Sequence, residues 1–237
     1  MICIECTHPV ESLYTQYSDT NIRSTVCPSC NKFADKYIEH DQVNIAIDLV
    51  LLKPQAFRHM VFNVLSVGDS DQLHPQTRRI WVLTTLFDVY LVWATVEKTP
   101  NKSPMDNYIL SLGALHQYLY FIFQCVCHSA VIHMTTRALA RYWLGWTRPN
   151  ALSTALLMSS ASKLFPILML IWSYDVPIAS KVVAWAVIIH EVEALRTVLN
   201  CGYIRAAVMI AIAESLSFGL SDYCLPALHA VLDQKLL

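Results

Sequence analysis

The chain has 237 residues, a formal net charge of −1, 55% hydrophobic residues and 15% charged ones, where a water-soluble domain carries about a quarter charged. That apolar excess excludes an ordinary soluble domain, and without a Lys/Arg stripe interleaved with aromatics nucleic acid is excluded as a partner. Of the 17 basic and 18 acidic residues, 16 fall in the first 79 positions, so the chain divides at Arg78 and Arg79 into a charged head and an apolar remainder.

Residues 2 to 20 lack an apolar run of signal-peptide type, so the N-terminus is expected to be retained. Cys3, Cys6, Cys27 and Cys30 form two CxxC pairs around a 20-residue spacer, the spacing of a zinc ribbon over residues 1–41. Two thiolates from each tight turn complete the tetrahedron that structural Zn2+ prefers, and a closed four-sulfur site leaves no position for a reacting water. One structural Zn2+ is therefore expected, supplying folding free energy that about 40 residues cannot obtain from burial alone. Iron in the same cage and a pair of disulfides are the competing readings. In the spacer, turn residues (SDTN) precede a β-leaning end (IRSTV), as a hairpin returning to the metal requires. Cys125, Cys127, Cys201 and Cys224 lie in apolar sequence without ligand spacing and read as small core residues.

Residues 42–79 form a second segment, amphipathic and helical. After Pro54, a favoured first helical residue, Phe57, Met60, Val61, Val64 and Leu65 share one face, with Arg58, His59 and Asn63 away from it. Such a stripe suits a helix lying in a bilayer interface and equally one packed on the ribbon or on a transmembrane bundle.

Residues 80–237 form the third segment, with candidate spans at Ile80 to Val96, Tyr108 to Met134, Ala151 to Trp172, Val176 to Leu199 and Tyr203 to Leu220. Charges at His190, Glu191, Glu193, Arg196 and Arg205 interrupt the last two blocks, leaving four or five spans. The fold class is thus mainly α, a polytopic helical membrane protein with a small N-terminal zinc ribbon. With the head in the cytosol, Arg78 and Arg79, the loop arginines Arg137, Arg141 and Arg148, and Arg196 and Arg205 all lie on the cytosolic side. The same orientation keeps the four thiols in a reducing compartment.

The segments CIEC, LYTQYS, NIR and CPSC, followed by ADKYIEHD and IDLVLLKPQAFRHMVFN, closely resemble the homology domain of the Arv family, named for an ACAT-related enzyme required for viability. The resemblance is dense over residues 1 to 65 and continues as a shared pattern of spans. Zinc knuckles often place Gly after the second cysteine, whereas Thr7 and Asn31 stand here; Thr tolerates the left-handed backbone poorly, so a differently shaped first knuckle is expected. The resemblance implies a multi-pass protein of the endoplasmic-reticulum membrane that mediates sterol homeostasis and lipid transport. It further implies effects on sphingolipid metabolism and on delivery of glycosylphosphatidylinositol intermediates. Membrane lipids (sterol, glycolipid intermediates) and endoplasmic-reticulum membrane proteins would be its partners, and Cys3, Cys6, Cys27 and Cys30 its zinc ligands.

Ionisable residues in spanning sequence are costly and mark candidate sites. Asp88, His116, His128, Lys163 and Glu214 occupy such positions, and Asp88 with Lys163 is a candidate ion pair. His190, Glu191 and Glu193 invite a metal reading, but there is no HExxH, and Glu193 with Arg196 reads better as an exposed pair at a helix end. No GxSxG or phosphate loop occurs. The chain is therefore expected to be no enzyme, with a scramblase or lipid-modifying enzyme using the buried ionisable residues as the alternative, and a ribbon adaptor with passive anchors as a third reading.

Overall fold

Both CxxC turns close in the same way. The Thr7 amide donates to the Cys3 carbonyl at 2.9 Å and the Cys3 amide to that of His8 at 2.8 Å; Asn31 to Cys27 and Cys27 to Lys32 repeat the pattern at 3.0 and 2.8 Å. Thr7 and Asn31 both adopt the left-handed backbone, at φ 64° and 55°, so the two knuckles share one shape, contrary to the expectation for Thr7. That conformation costs a β-branched residue about 1–2 kcal/mol, and a 2.6 Å bond from Thr7 Oγ1 to the Cys6 carbonyl helps hold it. Between the knuckles, β1 (Tyr14–Ser18) and β2 (Asn21–Ser24) pair antiparallel, Tyr14 opposite Ser24. This is the hairpin that the spacer predicts.

In this computed structural model the backbone is described over residues 1–18, 21–65, 73–164 and 176–236, and side chains over the same residues except 21, 176–180 and 221–236. Behind the knuckles, a 3-10 turn (Lys36–Glu39) leads to α1 (Gln42–Val50), whose N-terminus is capped by Asp41 accepting from the Asn44 amide at 2.8 Å. Tyr37 packs with Ile4 and Ala56 and donates its hydroxyl to Asp48 at 2.8 Å. Lys53, 2.7 Å from Asp48, together with Tyr37 holds that carboxyl below the usual carboxylate range. A corner at Leu52, φ 58°, turns the chain into α2 (Pro54–Arg58), which continues as a π-helical stretch over His59–Leu65. Phe57, Val61 and Leu65 are buried, so the apolar stripe packs against protein. The apolar residues left exposed in this segment belong to α1 and its end, with Val43 65%, Ile47 50% and Leu51 62% exposed.

The remainder consists of α3 (Pro75–Lys98), a short α4 (Pro104–Ser111), α5 (Ala114–Leu144), α6 (Pro149–Ser159), α7 (Val176–Leu199) and α8 (Tyr203–Leu236). Among the described residues, three segments are long and apolar enough to cross a membrane: Pro75–Lys98, Ala114–Leu144 and Tyr203–Leu220. Their outward residues, such as Leu86, Leu119 and Ile204, are exposed, as lipid-facing positions should be. The block starting at Tyr108 is not one helix, because the chain breaks at Leu112 and Gly113 before α5 begins. Nor are Arg137 and Arg141 in a loop: α5 runs on to Leu144, where Gly145 at φ 62° stops it. Charge marked the edge of the apolar stretch, while helix geometry continued past it. The block from Ala151 forms α6 and a 3-10 stretch to residue 164, and residues 165–172 lie outside the described residues. The described part of α7 carries Lys181, Glu191, Glu193 and Arg196, which separates it from the three apolar spans.

Helices α5 to α8 meet around Leu152, Leu156, Leu195 and Met209, all nearly inaccessible. A second cluster joins head to bundle: Phe57 and Val61 of the α2 segment pack on Ala151 and Ala155 of α6 and Ala194 and Val198 of α7.

Candidate functional site

The knuckles bring Cys3, Cys6, Cys27 and Cys30 together so that their sulfurs all lie within 4.8 Å of one another, with Cys3 to Cys30 at 3.8 Å and Cys6 to Cys27 at 3.6 Å. A tetrahedron of metal–sulfur bonds of about 2.3 Å has edges of about 3.8 Å. The four thiols therefore fit one tetrahedral ion, and among the described residues they are the one His/Cys/Asp/Glu group able to hold a metal. Without metal, burial pushes the Cys3 thiol up to about 12. At Cys27 burial is outweighed by the amides of Cys30 and Ser29, which bring it down to about 7. Cys125 is buried, Cys127 and Cys201 are half-buried, and the side chain of Cys224 lies outside the described residues.

The polar side of α2, which the sequence leaves unassigned, fastens this head. Asp35, fully buried, accepts from the Tyr37 amide at 3.0 Å and from Asn63 at 2.7 Å, and its carboxylate lies 2.6 Å from His59 Nδ1. Asn63 also exchanges two bonds with the Ile2 backbone, at 2.9 and 3.0 Å. Arg58 donates to the carbonyls of Ile4 and Glu5 at 2.9 and 3.0 Å, and burial lowers its pKa from the ordinary guanidinium value. The signal that could have found these contacts is the i, i+4 pair of His59 and Asn63 in an apolar stretch. Asp35→Ala would leave the Tyr37 amide and His59 Nδ1 without this partner and take one bond from Asn63, which keeps its two to Ile2. We expect it to loosen the head by about 3 kcal/mol or more while the four thiols keep their metal. Amide hydrogen exchange at Ile2 and Tyr37 measures this, and unchanged protection would contradict it.

Inside the bundle, Asp88 of α3 meets Lys163, on the 3-10 stretch after α6, at 2.6 Å, the ion pair expected from sequence. The pair borders a cavity with a water-accessible volume of about 30 Å³, walled by Trp81, Thr84 and Thr85 of α3, by His128, Ser129 and His133 of α5, and by Ser160 and Glu191. Glu191 is 3% exposed, and its Oε2 has no hydrogen-bond partner. His128 and His133, five residues apart, both line the cavity, but their ring nitrogens engage different neighbours. His133 Nδ1 lies 3.2 Å from Ser153 Oγ, and His128 Nδ1 bonds Ser217 Oγ. Ser153 also accepts from Arg137 at 2.7 Å. His116 is exposed in the first turn of α5, away from this group.

The metal reading at His190, Glu191 and Glu193 does not assemble. His190 turns outward to the Val50 carbonyl at 3.3 Å, Glu191 faces the cavity, and Glu193 pairs with Arg196 at 3.6 Å. The Glu193–Arg196 pair exists as expected, but it is not exposed: the Glu193 side chain is 8% exposed, held against Thr197 in the α7 interior face. Ser217, His128 and Glu214 stand in the order of a nucleophile, base and acid. Three features weigh against that chemistry. Glu214 is 4.0 Å from His128 Nε2, too far for a hydrogen bond. Ser217 is 1% exposed. Its amide lies inside α8, where amides are spent on the helix and cannot stabilise an oxyanion.

A family model described as the Arv1-like family matches residues 2–195. The chain belongs to the Arv1-like family. It is 38% identical over 201 residues to Protein arv1 of Schizosaccharomyces pombe, covering 82% of this chain and 74% of that protein. Protein ARV1 of Saccharomyces cerevisiae is 32% identical, covering 86% and 83%, and Protein ARV1 of Homo sapiens 28% identical, covering 94% and 86%. No solved structure matches the chain. The Arv1-like match takes in the four thiols, the Asp35 network, Asp88, Lys163 and Glu191, and it ends before Glu214 and Ser217.

Proposed function

We propose that the protein is a non-catalytic mediator of sterol homeostasis and lipid transport in the endoplasmic-reticulum membrane, with a cytosolic head built on one structural Zn2+. On this reading it also influences sphingolipid metabolism and the delivery of glycosylphosphatidylinositol intermediates, and it works beside other membrane proteins of that compartment. Membership of the Arv1-like family supports the setting. Arg141, Arg148 and Arg205 stand at the ends of α5, α6 and α8 that meet next to the head's contact with α6 and α7, and Arg78 and Arg79 lie at the start of α3, which supports a cytosolic face. The thiol chemistry supports zinc, since borderline-soft Zn2+ takes four thiolates in a reducing compartment.

One observation carries the lipid-handling role: a polar cavity with Asp88, Lys163, His128 and Glu191 lies inside the bundle. Passive anchors gain nothing from ionisable groups at that depth, where each is costly. The test is reconstitution of the purified protein into vesicles with labelled sterol and labelled glycolipid, scoring transfer between vesicles and flipping across them separately. Acceleration of either over empty vesicles is the expected result, and rates equal to empty vesicles would overturn the role. The contact of Ser217 with His128 is the one observation behind a second reading, a lipid-modifying enzyme, against which the Glu214 distance and the burial of Ser217 weigh. Ser217→Ala retains activity under the first reading and abolishes it under the second.

A further inference from the structure

We propose that the outward face of α1, made of Val43, Ile47, Val50 and Leu51, seats in the head-side interface of the bilayer. The four-thiol head then holds the membrane through a helix of its own as well as through its contact with α6 and α7. The inference goes beyond the lipid-handling role and does not depend on it.

Helix α1 is apolar on two opposite sides. Ile45 and Leu49 turn inward onto Ile4, Tyr37 and Ala56 of the head, and Asp48 is occupied by Tyr37 and Lys53 at 2.8 and 2.7 Å. Val43, Ile47, Val50 and Leu51, at i, i+4, i+7 and i+8, form the other side, and all four are exposed. A helix that is apolar around most of its circumference needs apolar surroundings on both sides, and the head supplies only one. The sequence suggests an interfacial helix for the stripe of Phe57 and Val61, which packs inside the protein; α1 is the helix of this segment whose apolar face stays open.

What covers that face follows from where α1 rests. Leu49 packs at the edge of the cluster that joins Phe57 and Val61 to Ala194 and Val198 of α7, and the Val50 carbonyl lies 3.3 Å from His190 Nε2. One row over from His190 on the same helix, Val182, Trp185 and Ile189 are exposed at i, i+3 and i+7. Helix α7 itself packs beside the apolar span of α8 through Leu195 and Met209. The apolar surface of the bundle therefore continues across His190 onto α1.

The depth agrees. Tyr142 and Trp143 at the end of α5, and Tyr203 at the start of α8, are exposed aromatics beside Arg141 and Arg205, and the Arg196 guanidinium covers the Tyr203 ring at 4.3 Å. Tyrosine, tryptophan and arginine together mark a membrane–water boundary. His190 stands six residues before Arg196, about 9 Å of helix, and an interfacial helix sinks its apolar face about 5–10 Å into the boundary of headgroups and acyl chains. The face carries no basic residue, so burial of apolar area, and not attraction to anionic lipid, holds it there.

The experiment uses the full chain in phosphatidylcholine nanodiscs, with a genetically encoded nitroxide amino acid at position 43, 47 or 51. References are the same label in place of Gln16 on the exposed hairpin and of Leu86 on α3. Relaxation by oxygen, which partitions into hydrocarbon, is compared with relaxation by a water-soluble nickel chelate. At 43, 47 and 51 the ratio of oxygen to nickel access should exceed that at 16 at least about fivefold, approaching that at 86. Ile47→Glu with Leu51→Glu, read from the label at 43, should raise nickel access at least about threefold with bound zinc unchanged. Where one labelled variant fails to fold, the other two decide. Nickel access at all three positions equal to that at 16 places α1 in water and overturns the inference. Loss of access to both reagents overturns it as well, because protein then covers the face. Either result leaves the vesicle assays of the proposed function untouched.

Discussion

In the full chain, Cys27→Ser is expected to remove bound metal, unfold residues 1–41 and abolish function, while the chain still inserts in the membrane. Cys27 is fully buried and its amide closes the second knuckle at 2.8 Å from the Lys32 carbonyl, so the loss falls at the centre of the head. Structural zinc contributes about 10–16 kcal/mol of apparent folding free energy in small metal domains. That exceeds what the short core of Ile4, Tyr37 and Ala56 could replace, and Thr7 would have no reason to hold its strained backbone once the metal is gone. Insertion persists because α3, α5 and the first half of α8 are apolar enough by themselves. Zinc analysis of the purified variant should fall from about one ion per chain to none, limited proteolysis should remove the head, and complementation of an Arv-deficient strain should fail. A variant that keeps both its ion and its activity would show that the cage does not organise the head.

The second large effect is expected at the ion pair of the bundle. Asp88→Asn and Lys163→Met should each destabilise the detergent-purified protein by about 3–5 kcal/mol, because each leaves the other charge buried without its partner. Lys163 and Asp88 have side chains only 19% and 23% exposed, and in a bilayer that residual exposure faces the cavity or hydrocarbon. The double variant removes both charges and should recover most of the lost stability, as buried pairs replaced by neutral groups commonly do. Thermal unfolding read beside complementation separates structure from chemistry. If the double variant is as stable as the unsubstituted protein and complements, neither group reacts with anything. A stable double variant that fails to complement would assign the pair a direct role.

Much of the head could be read from its residues. Four cysteines at fixed spacing leave one closed geometry, and SDTN followed by IRSTV leaves one hairpin. Asp88 and Lys163 were pairable because two opposite charges in otherwise apolar sequence have few other partners. The contacts between segments were not legible. Phe57 and Val61 form the same stripe whether they meet lipid or Ala151, Ala155, Ala194 and Val198, since hydrocarbon and an alanine-lined helix pair demand the same apolar residues. Arg58, His59 and Asn63 could be placed only off the apolar face, because polarity alone cannot distinguish water from the backbone of Ile2 and Ile4. Glu191 was visible only as an interruption of an apolar block, and its direction into the cavity depends on the rotation of α7, which α6 sets by packing.

The methyl side chains at Ala151, Ala155 and Ala194 let the α2 segment sit tightly against α6 and α7, only a turn from Leu156, Leu157 and Glu191 in the cavity wall. On its other flank the same segment is tied to the knuckles. The α2 segment thus joins the four-thiol head to α6 and α7 by direct side-chain contact on both of its flanks rather than through a linker.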